Sequence, residues 1–161
     1  MNAAGYNFIV KSPFEYEFYT SIGAAYSISF DPVSEYFRTN HPVKDLIYSI
    51  DVQLLYPGPY NHYDFITGIT IAEIILHFFS IDHKRVIFYL CDPVDGKMKA
   101  RSRKFNYWYN TFSNQDFKKI VAGLNKNGVQ IELNFIFLKN NSYAYDIPLI
   151  IEEAKNKLNS K

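Results

Sequence analysis

The chain has 161 residues, of which 48% are hydrophobic and 20% are charged. This balance excludes a disordered chain and a collagen-like chain, and the length suits one domain with its own core. A net charge of +1 argues against broad electrostatic attraction to nucleic acid or to a membrane surface. The single cysteine excludes an internal disulfide and a cysteine-based zinc cluster.

The start of the chain indicates a cellular setting. Residues 1–10 lack the charged start and the long apolar run of a signal peptide. The apolar stretches elsewhere are too short and too interrupted to span a bilayer. We therefore expect a soluble cytoplasmic protein that makes no use of a membrane.

The first part of the chain has the period of β-strands. Residues 14–20 and 24–30 alternate apolar and polar side chains, and residues 21–23 between them suit a hairpin turn. Residues 44–56 form a longer alternation. That pattern predicts a half-buried antiparallel strand.

Helical spacing begins near Thr67. Thr70 and Glu73 have the spacing of a capping box, and residues 71–79 supply an apolar face. The pattern predicts a helix whose buried side packs on the sheet.

The segment Val86–Cys91 is short and almost entirely apolar. It predicts a central strand that is covered on both faces. Val86 and Phe88 should face one layer, and Ile87 and Tyr89 the other.

The last third of the chain predicts three helices and one strand. Aromatic side chains over residues 105–112 form one helical stripe, and residues 116–124 suit a second short helix. After a turn signal at residues 127–128, residues 129–137 alternate as a strand, and a final helix opens at residue 146.

Together these elements predict a single α+β domain over residues 1–161. We expect an antiparallel or mixed sheet of about five strands with helices mainly on one face. The order does not alternate as a doubly wound fold would.

A candidate site follows the strand Val86–Cys91. Asp92 and Asp95 are paired carboxylates, which can bind Mg²⁺ or Ca²⁺ or divide acid and base roles. With Pro93 and Gly96 they are also ordinary turn chemistry, and either aspartate can cap the helix that follows. The turn interpretation is favoured, so we assign neither a metal ion nor a catalytic residue.

Basic residues come directly after this turn. Arg101 and Lys104 could hold a phosphate, with Trp108 available for base stacking. Alternatively, Arg101 pairs with Asp92 or Asp95 and ties the helix to the turn, while Trp108 packs against the sheet. The near-neutral net charge favours this structural alternative, and binding to DNA or RNA is expected to be weak.

The remaining reactive residue types give no motif. Cys91 is interpreted as a buried thiol rather than a nucleophile, because no base stands near it in the sequence. The four histidines have no metal-ligand spacing, and there is no glycine-rich phosphate loop or nucleophile elbow. We expect no cofactor.

Three segments of the chain carry a resemblance to a family. They are IAEII at 71–75, CDPVDG at 91–96 and ARSRKFNYW at 100–108. With these segments the chain resembles an uncharacterised family of small Bacteroidetes proteins that carry a domain of unknown function. The resemblance runs from the first hairpin to the last helix. It implies a bacterial, cytoplasmic setting and assigns no reaction.

Two functions fit these observations. The first is a binding module for a protein partner, including a second copy of the chain, because catalytic motifs are absent and aromatic residues make up 18% of the chain. The second is phosphoryl-transfer, nuclease-like or nucleotide-binding activity at Asp92, Asp95 and Arg101. The first is favoured, so we do not expect an enzyme; the sequence leaves the ligand and the oligomeric state open.

Overall fold

The computed structural model describes residues 4–59, 64–91, 98–113 and 115–159. These residues form seven strands, three α-helices and two short 3₁₀ helices, Ser34–Tyr36 and Pro42–Leu46. In chain order the larger elements are β1 Phe8–Ser12, β2 Glu15–Tyr19, β3 Ala25–Pro32, β4 Ile47–Tyr56, α1 Phe65–Ile81, β5 Val86–Cys91, α2 Met98–Phe112, β6 Phe117–Lys126, β7 Val129–Leu138 and α3 Ile147–Asn159.

All seven strands belong to one mixed sheet of order β1-β2-β3-β4-β5-β7-β6. Neighbouring strands run antiparallel except for β4 and β5, which are parallel and are joined through α1. Parallel neighbours need such a crossover, because a tight turn can join only antiparallel strands. The predicted α+β class is confirmed, with seven strands in place of about five.

The helices lie on both faces of the sheet. The α1/α2 face buries the apolar side of α1 together with Trp108 of α2, against residues that include Tyr16 and Phe30. The α3 face buries Ile150 and Ile151 with the segment that follows β3. Two of the three helices thus share a face, in line with the prediction that one face carries most of them.

The central position of β5 is confirmed. Val86 and Phe88 belong to the core of the α3 face, whereas Ile87 and Tyr89 belong to the core of the α1/α2 face. Both β4 and β7 flank the strand. Among residues 86–90, whose burial is described, Leu90 is exposed and the other four are buried.

The predicted helix over residues 116–124 is wrong. This segment is β6, which pairs with β7 through a hairpin whose loop is Asn127 and Gly128. Both loop residues have positive φ, 55° and 80°, as a tight two-residue hairpin requires. Such a loop commits both flanking segments to strands, and the burial of Ala122 and Leu124 on one side of β6 follows the strand period.

The predicted capping box at Thr70 and Glu73 is also wrong. Helix α1 starts earlier, at Phe65, and the Asp64 side chain accepts a hydrogen bond from the Thr67 N–H at 2.6 Å. Thr70 and Glu73 instead hold the segment before β1. Thr70 Oγ1 accepts a hydrogen bond from the Tyr6 N–H at 2.8 Å. Glu73 Oε1 accepts one from the Gly5 N–H at 3.2 Å. The side chains serve a long-range contact that local spacing does not reveal.

Arg85 is a charged residue in the core, with 5% of its surface exposed. Its Nη1 donates to the Phe78 carbonyl at 2.9 Å, and its guanidinium carbon lies 4.3–5.6 Å from the ring centres of Phe14, Tyr48 and Phe78. Among the described residues, no carboxylate forms a salt bridge with it. The last carbonyls of a helix lack intrahelical donors, so Arg85 caps the end of α1.

We predict that Arg85→Met lowers the free energy of unfolding by about 2–4 kcal/mol. The substitution keeps an apolar stem but leaves the Phe78 carbonyl without its donor and removes the contacts with the three rings. Urea unfolding followed by circular dichroism measures the change. The matched control is Lys84→Met, an exposed side chain in the same turn, which should stay within about 0.5 kcal/mol of wild type. Equal losses in the two variants would contradict the structural role of Arg85.

A cleft between two diverging strands as the candidate site

The two parallel strands β4 and β5 are paired only at their beginnings. The pairs are Ile47 with Val86, Tyr48 with Ile87 and Ser49 with Phe88. Beyond them, residues 50–54 and Tyr56 of β4 are paired with β3, and residues 89–91 of β5 are paired with β7. On the side that faces the cleft, residues 50–56 of β4 have no ladder partner among the residues that the structure describes.

The divergence opens a cleft of about 1130 Å³ that is lined by both strands. We call it the β4–β5 cleft. It lies at the carboxyl ends of the parallel pair, beyond the paired stretch, which is where ligands bind in open sheets with parallel strands. Its described lining residues come from β3, the segment 33–38, β4, β5, α2, β6, β7 and α3.

The walls of the β4–β5 cleft are largely apolar and belong to both cores. Val52 and Trp108 line it from the α1/α2 face. Phe37, Leu133 and Phe135 line it from the α3 face. The cleft therefore passes through the plane of the sheet rather than lying on one surface.

Large apolar side chains that line the cleft also reach solvent. Tyr36, Leu54 and Leu90 are exposed by 60%, 44% and 42%. Exposed apolar side chains that cluster at a concave surface are typical of binding sites, whereas scattered ones are ordinary.

Of the residues that the structure describes, five that line the cleft are charged, and among these five the cations outnumber the anions. The cations are Arg38, Lys104 and Lys126; the anions are Glu35 and Asp51. The Asp51 carboxylate accepts a hydrogen bond from a glutamine two residues along β4, at 2.7 Å. Arg38 and Lys126 are exposed and form no salt bridge with any described carboxylate.

Asp64, at the start of α1, lies near Tyr26, a residue that lines the cleft. Its two oxygens accept from the Thr67 N–H and the Tyr6 hydroxyl, each at 2.6 Å. Burial raises the pKa of the Asp64 carboxyl, but these hydrogen bonds outweigh burial and hold the pKa below its usual value. Tyr26, which lines the cleft, has a raised pKa because it is partly buried and because Asp64 is nearby.

The structure places only part of the site that the sequence predicts. Asp92 and Asp95 lie outside the described residues, as does the side chain of Arg101, so the predicted tie between them stays a prediction. Lys104 and Trp108 both line the β4–β5 cleft. Trp108 is 4% exposed and packs edge-to-face on Phe105 at 4.8 Å between ring centres, which confirms that it packs in the core.

The sequence patterns do not reveal the cleft itself. One signal was available: Leu54 is followed by two more large apolar residues, Leu55 and Tyr56, at the end of a strand that otherwise alternates. All three are exposed. Strand divergence leaves no other local signal, because it depends on where a distant segment, β5, stops following β4.

Within the described parts of the chain, no helix is long and apolar enough to cross a membrane. Nor do the described residues bring together three or more histidine, cysteine or acidic side chains in a group that could hold a metal ion.

The fold and the cleft define a single α+β domain with a divided mixed sheet. The chain belongs to DUF6169, a family of unknown function, whose model matches residues 65–153. The matched stretch runs from the start of α1 into α3, so it contains β5 and α2 but not β4. No curated protein and no solved structure matches the chain.

We predict that Trp108→Ala lowers the free energy of unfolding by about 3–5 kcal/mol, because it empties a large volume in the core. Tyr107→Ala, at the neighbouring and partly exposed position of α2, should cost much less. Thermal and urea unfolding of the two variants measure the difference. A Trp108→Ala protein as stable as Tyr107→Ala would mean that the indole is not packed as described.

We predict a pH-dependent cost for Asp64→Asn. Because the folded-state pKa is lowered, the carboxylate contributes stability above its unfolded pKa of about 3.9, and this contribution is lost as the pH falls through the folded value. Asparagine keeps the cap but not the charge, so wild type should be the more stable at pH 7, and the gap should narrow below about pH 4. Urea unfolding at pH 7 and pH 3 measures the difference in unfolding free energy between wild type and Asp64→Asn. The control is Glu152→Gln, a substitution of an exposed carboxylate in α3. A gap that is the same at both values would contradict the role of the charge.

Proposed function

We propose that this protein is a binding module that holds a segment of a protein partner in the β4–β5 cleft. The observation that carries the proposal is the edge of β4 over residues 50–56, which has no ladder partner among the described residues on the side of a cleft with apolar walls. Backbone N–H and C=O groups on such edges are a ready template for another chain.

The size of the cleft leaves room for a segment of a protein partner. Pockets for small ligands range over roughly 300–1,000 Å³, and the β4–β5 cleft has about 1130 Å³. The exposed side chains of Tyr36, Leu54 and Leu90 add apolar surface at its boundary. Aromatic and aliphatic anchors that become buried supply most of the binding energy in protein interfaces.

The setting that we propose for this module is the cytoplasm of a bacterium of the Bacteroidetes. Its support is the sequence alone: three segments resemble a family of small proteins from these bacteria, and that resemblance implies the setting.

Phosphoryl transfer, nuclease-like chemistry or nucleotide binding stays the alternative prediction. Its principal residues, Asp92, Asp95 and Arg101, have no described side chains. Of the other two, Lys104 is exposed and Trp108 is buried, so the indole face is not available for stacking on a base. The described residues therefore favour the binding module.

A matched pair of variants in β4 tests the module. Leu54 lines the cleft and is 44% exposed, whereas its neighbour Leu55 is 48% exposed and does not line the cleft. Leu54→Glu should place a charge among the apolar walls, while Leu55→Glu makes the same chemical change on the same strand.

We predict that peptides selected from a random display library on the immobilised full chain bind wild type and Leu55→Glu alike. Binding to Leu54→Glu should fall at least about ten-fold, because the introduced carboxylate must be desolvated when the cleft is filled. Fluorescence polarisation with the selected peptides gives the affinities, and circular dichroism verifies the fold of each variant. Selected peptides that bind all three proteins equally, or a selection without binders, would refute the module.

A further inference from the structure

We propose that the partner segment is an extended β-strand, apolar on both sides and carrying an acidic residue, which inserts into the gap of the sheet beside β4. This inference rests on the proposed function and specifies its ligand. Strand addition at an open edge is an established way for one domain to bind another chain.

The edge of β4 serves as the template for this strand. Among the described residues, nothing forms a ladder with residues 50–56 of β4 on the side of the cleft. A segment that enters the gap therefore finds a row of backbone partners along β4. In this position it continues the sheet, and its backbone N–H and C=O groups are satisfied by a ladder instead of water.

The two walls determine the side chains of the inserted strand. Successive side chains of a strand point to opposite faces. On one face they would meet Val52 and Trp108, and on the other Phe37 and Phe135. Because both walls are apolar, the inserted strand should read as a continuous apolar run, as strands buried on both faces do, rather than as an alternation.

The charges of the lining residues indicate the acidic residue. Among the described residues, three cations and two anions line the cleft, and Asp51 already accepts a hydrogen bond within β4. Arg38 and Lys126 form no salt bridge with a described carboxylate. A carboxylate on the inserted strand could pair with either of them at the solvent side of the cleft.

The test uses a defined probe, a fluorescein-labelled synthetic peptide with a run of valine and isoleucine that is followed by aspartate. Variant peptides carry asparagine or lysine in place of the aspartate. A further set carries single backbone N-methyl groups along the apolar run. Fluorescence polarisation against the full chain measures each affinity. Variants Leu54→Glu and Arg38→Gln are compared with the controls Leu55→Glu and Arg103→Gln, the last an exposed arginine of α2 that does not line the cleft.

We expect the aspartate peptide to bind wild type. Its affinity for the Leu54→Glu variant should be about ten-fold lower or weaker still. N-methylation should weaken binding about ten-fold at every second residue and much less at the residues between, since alternate N–H groups face β4. Arg38→Gln should weaken the aspartate peptide several-fold and leave the asparagine peptide unchanged, while both control variants bind as wild type does.

Other outcomes would overturn the inference in distinguishable ways. Binding that Leu54→Glu abolishes but N-methylation does not alter would leave the module intact and reject the strand. Preference for the lysine peptide would reject the acidic partner. No binding of the aspartate peptide would reject this ligand class, and the library selection then decides on the module separately. A dimer in sedimentation experiments that Leu54→Glu dissociates would make a second copy of the chain the occupant.

Discussion

The architecture depends on one buried cation, Arg85. Its guanidinium contacts rings from three separate places: Phe14 in the β1–β2 connection, Tyr48 in β4 and Phe78 in α1. It also supplies a donor to a carbonyl in the last turn of α1. A buried charge is costly unless its environment compensates it, and here aromatic faces and a helix end do so in place of a carboxylate. The contacts place the start of β5 beside the start of β4.

This arrangement explains why the sheet is closed at one end and open at the other. Arg85 immediately precedes Val86, the first residue of β5 that pairs with β4. Pairing continues as far as Ser49 and Phe88 and then ends. Beyond that point each strand stays paired with its other neighbour, β4 with β3 except at the irregularity at Leu55, and β5 with β7. The two halves of the sheet are thus joined near the arginine, and the β4–β5 cleft forms where they separate.

The sequence predicts those parts of the fold that depend on local interactions and misses those that depend on distant ones. Burial of Val86, Ile87 and Phe88 follows from an apolar run, which is a local property, and the prediction was right. Residues 117–126 have an apolar spacing that suits a helix as well as a strand. The hairpin at Asn127 and Gly128 decides between them, because both residues adopt positive φ and commit the flanking segments to a strand pair. The turn signal is visible in the sequence, but its effect on the preceding segment depends on pairing with β7.

The candidate site was less accessible to sequence reasoning for a physical reason. Of the residues proposed from sequence, Lys104 and Trp108 line the cleft, because they lie on α2, the helix that follows β5. The opposite wall comes from β4 and from the segment that contains Phe37, and these precede β5 by a whole helix in the chain. Only the tertiary pairing of β4 with β5 brings them together, and its early end appears in neither strand alone.

The location of the open edges also bears on partner selection. An open edge on the outside of a sheet can pair with the edge of any other sheet, which leads to aggregation. The edges of β4 and β5 instead face each other inside a cleft whose walls are built from both cores. If the cleft binds a partner as we propose, walls on both sides of the edge would favour a single extended segment over the edge of a folded sheet. Ordering such a segment would cost entropy that its contacts with the two apolar walls must offset.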